Sequence, residues 1–421
     1  AALGYHVIRW NYLGDWGTQF GKLIAAYKLW GKKEDIEREP IQAMLDLYVR
    51  FHDEVKSKPE LEERGRAEFK KLEDGDTENR ALWQWFKDES LTEFAKTLEK
   101  LGVEFDVDIG ESFYEAKLAD TVKRLVDRGI AKPSEGAIIV PLDEFRLPPA
   151  LIQKSDGGSL YHTRDIANIE YRVAEYHPVK ILYVVGNEQA LHFEQLFKIA
   201  ELAGLGKGVE FTHVKFGLVF AEKGQKFSTR SGNIVRLEEV LTKAQQLAWA
   251  IVEQKNPELS EGEKATIAET VALGALKYTN LCENRNSDVI FDWDKMLDFS
   301  GDSGPYLQYT YARLMSILRK AGTVPAGDAK YVESEVELAL VRKMAELPDA
   351  VQIAAETYAI NHLTNYLYEL AVAANKFYET TPILKDENEN RRNARLLLVS
   401  TVAEFLKRGL GLLGIKTLEK I

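Results

Sequence analysis

The chain opens on an extended run, Tyr5-His6-Val7-Ile8-Arg9-Trp10, that passes straight into Asn11-Tyr-Leu-Gly-Asp-Trp-Gly-Thr-Gln-Phe-Gly21. Three glycines, three aromatics and an aspartate in eleven positions describe a strand that leaves a sheet through a tight, backbone-exposed turn into a helix. In open α/β sheets, ligands bind at the carboxyl ends of such strands. A binding site is therefore expected from the first residues onward, and further chain is expected ahead of Ala1.

The remaining pattern divides in two. From about residue 24 to 107 it is helical and charge-rich: Ile41, Met44, Leu45, Tyr48, Phe51 and Val55 recur at helical spacing, and Leu82, Trp83, Trp85, Phe86, Leu91, Phe94, Leu98 and Leu101 continue it beyond a break at Lys71-Leu-Glu-Asp-Gly-Asp76. This reads as a helical insertion. Strand character returns at Ala137-Ile-Ile-Val-Pro-Leu142, at Lys180-Ile-Leu-Tyr-Val-Val-Gly186 and over 209–220, with helices at about 164–176 and 189–204. Alternating strands and helices predict a doubly wound, mostly parallel α/β sheet. Beyond about 237 only helical patterns are read, broken at 300–305 and 323–327. The expected division is a Rossmann-like domain over 1–240, a helical connection over 241–300 and an all-α domain over 301–421.

Composition excludes little beyond this. No stretch of the 421 residues approaches twenty apolar positions, so no membrane span is expected. Cys282 is the single cysteine, which excludes an internal disulfide and fits a reducing, cytoplasmic compartment. Seven scattered histidines form no metal-ligand pattern, and no structural zinc is expected. A net charge of −11 argues against general nucleic-acid binding. Yet Lys223, Lys226, Arg230 and Arg236, and again Arg391, Arg392 and Arg395, form local basic clusters. The net sign decides little.

Several segments carry residue types with chemistry. In Lys226-Phe-Ser-Thr-Arg-Ser-Gly232, cations and hydroxyls on a glycine-bearing loop suit a polyphosphate; an exposed basic loop is the alternative. In Tyr161-His-Thr-Arg-Asp165, a phenol and a carboxylate four apart on a helix can grip a cationic ligand; a packed tyrosine and an N-terminal helix carboxylate are the plainer account. Glu111, in Gly110-Glu111-Ser112, is a carboxylate at a strand end or a turn glutamate. Gln189 and His192 open a helix after a strand, facing the same crevice or the solvent. In Asp302-Ser-Gly-Pro-Tyr306-Leu-Gln-Tyr309-Thr-Tyr311-Ala-Arg313, the tyrosines stack on bases or pack in a core.

These segments occur together and in one order, and with His213-Val-Lys-Phe-Gly217 and the terminal Leu412-Leu-Gly-Ile-Lys-Thr-Leu-Glu-Lys-Ile421 the chain closely resembles the arginyl-tRNA synthetases, class I enzymes, over nearly its whole length. The resemblance implies ATP-dependent activation of L-arginine, with Mg2+ accompanying ATP, and transfer of the arginyl group to tRNA(Arg) by a monomer. It implies that Glu111, Tyr161, Asp165 and Gln189 hold the amino acid and that His192, His213, Gly217 and Lys226 serve ATP. Lys226, Ser228 and Arg230 match the Lys-Met-Ser-Lys-Ser loop that stabilises departing pyrophosphate. Phe227 stands where that loop has methionine and Thr229 where it has its second lysine. The helical half resembles the family's anticodon-binding domain, with Tyr378 at an anticodon-stacking position, although Pro382 replaces a tryptophan found there in relatives.

One class I signature, His-x-Gly-His, does not occur in the 421 residues, nor does the family's amino-terminal tRNA-contacting domain. A polypeptide of these residues alone is expected to be poorly active. The alternative is a non-catalytic tRNA-binding module derived from such an enzyme. Cysteinyl-tRNA synthetases, of similar architecture, need zinc-ligand cysteines and are set aside, since Cys282 is alone.

Overall fold

The computed structural model describes residues 1–158, 160–220, 236–323 and 326–421. They divide into two compact units, one of His6–Ile181 and Leu191–Thr212, the other of Ala1–Tyr5, Leu182–Ala190 and His213–Ile421.

In the first unit the opening run forms β1 (Trp10–Asn11) and, after a turn, α1 (Thr18–Trp30). The strand is much shorter than the extended sequence suggests, because only Trp10 and Asn11 find ladder partners. Gly17 begins α1 at φ 142°, a conformation that L side chains rarely adopt. Four helices follow: α2 (Lys33–Arg38), α3 (Pro40–Ser57), α4 (Glu60–Glu73) and α5 (Thr77–Leu101). The expected break between the last two is real. The Asp76 carboxylate accepts from the Asn79 N–H and so caps α5. Buried Trp16, Ile24, Ile36, Phe69, Leu72 and Phe86 form one core across these helices. Gly21 is dictated by its neighbour: a Cβ there would lie 2.3 Å from the Gly65 carbonyl oxygen, so α1 and α4 approach at two glycines.

The chain then returns as β2 (Val107–Asp108), parallel to β1, and continues through a 3-10 turn, Glu111–Tyr114, into α6 (Glu115–Asp127). Strands β3 (Lys132–Ser134), β4 (Ala137–Val140) and β5 (Ala150–Gln153) form an antiparallel meander. The segment expected to be one strand of a parallel alternation is thus the middle of a separate small sheet. The turn at Glu135 and Gly136, φ 50° and 82°, folds β4 back on β3 within two residues, which leaves no room for a crossover helix. After it come α7 (Tyr161–Tyr176), β6 (Lys180–Gly186), α8 (Ala190–Leu202) and β7 (Glu210–Phe216), with β6 and β7 hydrogen-bonded neighbours.

The second unit, which takes in β6 from Leu182 and β7 from His213, adds β8 (Val219–Phe220), α9 (Leu237–Lys255) and α10 (Glu261–Cys282). A further strand, β9 (Val289–Ile290), pairs in parallel with β8, correcting the expectation that no strand follows residue 237. Two residues give too short a period to stand out in a sequence. The position is set by bonds just ahead of the strand: the Gly217 N–H donates to the Arg285 carbonyl at 2.8 Å and the Leu218 N–H to the Asp288 side-chain carboxylate at 2.7 Å. Helices α11 (Trp293–Met296), α12 (Gly304–Ala321), α13 (Glu335–Ala345), α14 (Leu347–Thr357), α15 (Asn361–Thr380) and α16 (Glu389–Leu412) complete the chain. Leu307, Leu340, Leu367, Leu370, Phe377 and Leu406 are fully enclosed in their shared core.

Candidate active site

The opening signature is a clamp on the Gly110–Ser112 turn. The Glu111 N–H donates to the Leu13 carbonyl at 2.9 Å. The buried Asp15 carboxylate accepts from the Ser112 N–H at 2.9 Å and from its hydroxyl at 2.7 Å. A Cβ on Gly110 would lie 2.5 Å from Asp15 Oδ1, so glycine is needed there for close approach rather than for an unusual φ.

Helix α7 faces this turn. Its start is anchored by the buried Thr163 hydroxyl, which donates to the Ile152 carbonyl of β5, and its middle by Asn168, which donates to the Tyr114 phenol at 2.8 Å. Between the anchors lie Arg164 and Asp165. Glu111 is buried, and its Oε2 sits 3.3 Å from Arg164 Nη1 without hydrogen-bond geometry. Burial pushes the Glu111 carboxyl up to about 7, Arg164 opposing the shift and Asp165 and Asp15 adding to it. Asp165 Oδ2 is 2.6 Å from His192 Nε2 of α8, and the His192 ring lies 4.3 Å from that of His162. Burial lowers His162 to about 4, helped by His192. The Tyr12 phenol is raised, by burial first and then by the negative charge of Asp165 and Glu111. Among the described residues, the Tyr12 hydroxyl, Glu111 Oε2 and His162 Nε2 are buried without a hydrogen-bond partner. Buried polar atoms are seldom left so. Three of them beside two carboxylates give this cluster hydrogen-bonding capacity that a polar ligand could take up.

Of the residues singled out by sequence, Glu111, Asp165 and His192 therefore share one cluster, with Asp165 and His192 in direct contact. Tyr161 begins α7 four residues before Asp165 but is 60% exposed and has no place in the hydrogen-bonded cluster. In the other unit, Gln189 closes the 3-10 turn Asn187–Gln189 and is exposed. His213 Nε2 is 2.9 Å from the Val185 carbonyl. A Cβ on Gly217 would lie 2.3 Å from the Ser287 carbonyl oxygen, so backbone packing alone accounts for that glycine. Tyr378 is 41% exposed on α15, with the Arg313 guanidinium 4.9 Å over its ring. Lys226, Ser228 and Arg230 lie outside the described residues.

Sequence reading missed Tyr12, Asp15, Arg164 and His162. The signal for Arg164 was present, a cation adjoining Asp165 in a segment already chosen for its charge. Nothing local marks Asp15 as the partner of a turn ninety-seven residues away.

With the geometry in place, comparison with known proteins is decisive. Residues 1–293 match the family profile described as tRNA synthetases class I (R), catalytic domain, and residues 307–421 the DALR anticodon binding domain. The arginine–tRNA ligase of Clostridium perfringens is 46% identical, the match covering 99% of this chain and 74% of that protein. Among solved structures, Thermus thermophilus arginyl-tRNA synthetase aligns with a TM-score of 0.85 at 27% identity, over 99% of this chain and 76% of that one. The arginyl-tRNA synthetase of Plasmodium falciparum aligns with a TM-score of 0.84, also at 27% identity, over 100% of this chain and 71% of that one. A Rossmann-like class I catalytic domain is followed by a helical anticodon-binding domain, and the chain belongs to the arginyl-tRNA synthetase family.

Proposed function

We propose that the chain performs the arginine–tRNA ligase reaction. The arginine carboxylate attacks the α-phosphorus of ATP and pyrophosphate leaves. A hydroxyl of the terminal tRNA ribose then attacks the arginyl carbonyl and AMP leaves. The observation that carries this reading is buried Glu111, whose Oε2 accepts no hydrogen bond from the described residues and lies in the field of Asp165. A guanidinium presents five donors in a fixed planar fork, which two fixed carboxylates can engage. Lysine, a point charge, would leave acceptors unpaired, and that is an effective basis for rejection.

In this reading Glu111 and Asp165 receive the guanidinium, and the resemblance assigns Tyr161 and Gln189 to the same substrate. The resemblance assigns His192, which Asp165 contacts, together with His213, Gly217 and Lys226 to ATP. Lys226, Ser228 and Arg230 balance the charge developing on departing pyrophosphate. Tyr378 offers a stacking face to an anticodon base. Mg2+ arrives with the ATP phosphates; among the described residues no group of three or more His, Cys, Asp or Glu is placed to hold an ion, and no step is assigned to one. No described helix is long and apolar enough to cross a membrane; a cytoplasmic monomer is the form we propose.

The test is arginine-dependent exchange of pyrophosphate into ATP with tRNA(Arg) present. The full encoded chain should exchange with arginine and not with lysine, and exchange with neither would overturn the assignment. Because residues 1–421 contain no His-x-Gly-His, a polypeptide of these residues alone should bind arginine but exchange weakly. Turnover equal to that of the full encoded chain would refute this second point.

A further inference from the structure

The family signature contains one buried charge that the proposed reaction does not use. Asp15 is 5% exposed, yet its carboxylate meets three donors: the Ser112 N–H, the Ser112 hydroxyl and, at 2.6 Å, Lys87 Nζ. Lys87 belongs to α5, the last helix of the insertion. The same helix reaches the signature a second time, where the Trp83 indole N–H donates to the Asp15 carbonyl at 2.8 Å. Lys87 also lies 5.1 Å over the Trp83 ring, and Trp83 packs edge-on against Trp16 at 5.4 Å. Asp15 is thus gripped by α5 on one side and grips the Gly110–Ser112 turn on the other.

Stability alone does not account for an ionised side chain here. Burying a carboxylate costs more than a neutral residue that could accept the same two bonds from Ser112. Asp15 also sets a second negative charge near Glu111, which already resists ionisation. What the arrangement supplies is direction. Gly110 and Ser112 flank Glu111, both are pressed against the Asp15 carboxylate, and the intervening N–H is bound to Leu13. A carboxylate that must meet a planar guanidinium gains from such restraint, because small errors of placement are costly at a reacting site.

We propose that Asp15 is a positioning residue for arginine recognition: held by Lys87 of the helical insertion, it fixes the Gly110–Ser112 turn and so aims Glu111 at the substrate guanidinium. The inference rests on the ligase reading above. It makes the insertion a support for the amino-acid site, since loss of Lys87 would loosen Asp15 without touching substrate.

The experiment compares wild type, Asp15→Asn, Ser112→Ala and Lys87→Met in the full encoded chain by pyrophosphate exchange, with KM for arginine and for ATP measured separately and melting followed by circular dichroism. Asp15→Asn should raise the arginine KM about tenfold or more, the scale of one lost charge-assisted bond, with the ATP KM unchanged. Ser112→Ala, which removes one hydroxyl and leaves the Ser112 N–H bond to Asp15 in place, should raise it about threefold, and Lys87→Met by a similar factor. Removing the Asp15 charge should also shift the pH midpoint of the arginine KM downward, because that charge opposes ionisation of Glu111; the split between the arginine and ATP KM values is what a purely structural role would not produce. Unchanged arginine KM in both Asp15→Asn and Ser112→Ala overturns the proposal, as does an equal rise in both KM values with lowered melting. If Asp15→Asn fails to fold, Ser112→Ala decides. A wild type without arginine-dependent exchange would instead overturn the ligase reading.

Discussion

Two sets of buried charges in this chain set an arginine against carboxylates, and they are finished differently. In the helical half, Arg395 Nε donates to Glu337 at 2.6 Å and Nη1 donates to Asp386, which Arg391 also engages at 2.5 Å. Glu337 further accepts from the backbone N–H of Ser334, in the capping box of α13, and from that of Glu333. Although burial pushes its carboxyl up, those N–H groups and Arg395 hold it below the ordinary carboxylate range. Beside the opening signature, Arg164 approaches Glu111 at 3.3 Å without hydrogen-bond geometry, and the Glu111 carboxyl rises to about 7. The difference separates scaffold from site. A charge network with every acceptor bound holds helices together, whereas one left short of donors keeps capacity for a ligand and costs stability until it binds.

The comparison can be broken by substitution. Arg395→Met should cause the largest loss of stability, about 3–5 kcal/mol, because it removes the cation shared by two buried carboxylates; urea unfolding would measure it, and a loss below about 1 kcal/mol would remove the contrast. Glu111→Gln should do the reverse. The arginine kcat/KM should fall about a hundredfold, the worth of a hydrogen bond to a charged group, while stability is kept.

The sign of the stability effect follows from linkage. A carboxyl raised in the folded state contributes stability below its unfolded value, near 4.5, and loses it as pH rises through about 7. At about pH 8 the neutral glutamine should therefore melt no earlier than wild type.

The same raised carboxyl predicts a pH dependence for the substrate. Between about pH 6 and about pH 8 Glu111 passes from mostly protonated to mostly ionised, and the arginine KM should fall by up to about tenfold. A flat profile, with a normal response of the ATP KM, would mean that Glu111 is not the guanidinium partner. The smallest effect is expected at Tyr378. Removing a stacking face is worth about 1–3 kcal/mol per base at most, and exposure places Tyr378→Ala toward the lower end. The reading is tRNA KM, with arginine KM unmoved.

Much of this was legible along the chain because it depends on local pattern. Helices α3, α7 and α15 carry apolar residues at helical spacing, and the alternation of strand and helix around β6 marks a Rossmann-like sheet. The meander β3–β5 and the two-residue strand β9 were not legible. Both are decided by backbone partners elsewhere, the turn at Glu135 and Gly136 in one case and the packing of Gly217 on Ser287 in the other. The site divides in the same way. Glu111, Asp165 and His192 were named from residue type and position. That Asp165 is engaged by His192, and Glu111 faced by Arg164, required coordinates.

The residues themselves determined which chemistry is present: a strand, a glycine-bearing turn, an acid at each of two places and a family-specific order joining them. Only the tertiary structure decided which acid is structural and which is left with bonding capacity. Asp15 and Glu111 look alike in the sequence, each an acid beside a glycine. Folding brings Ser112 and Lys87 to the first, and leaves the second buried with an oxygen that no described residue hydrogen-bonds. Burial and donor count depend on contacts across about a hundred residues, and no local pattern encodes them.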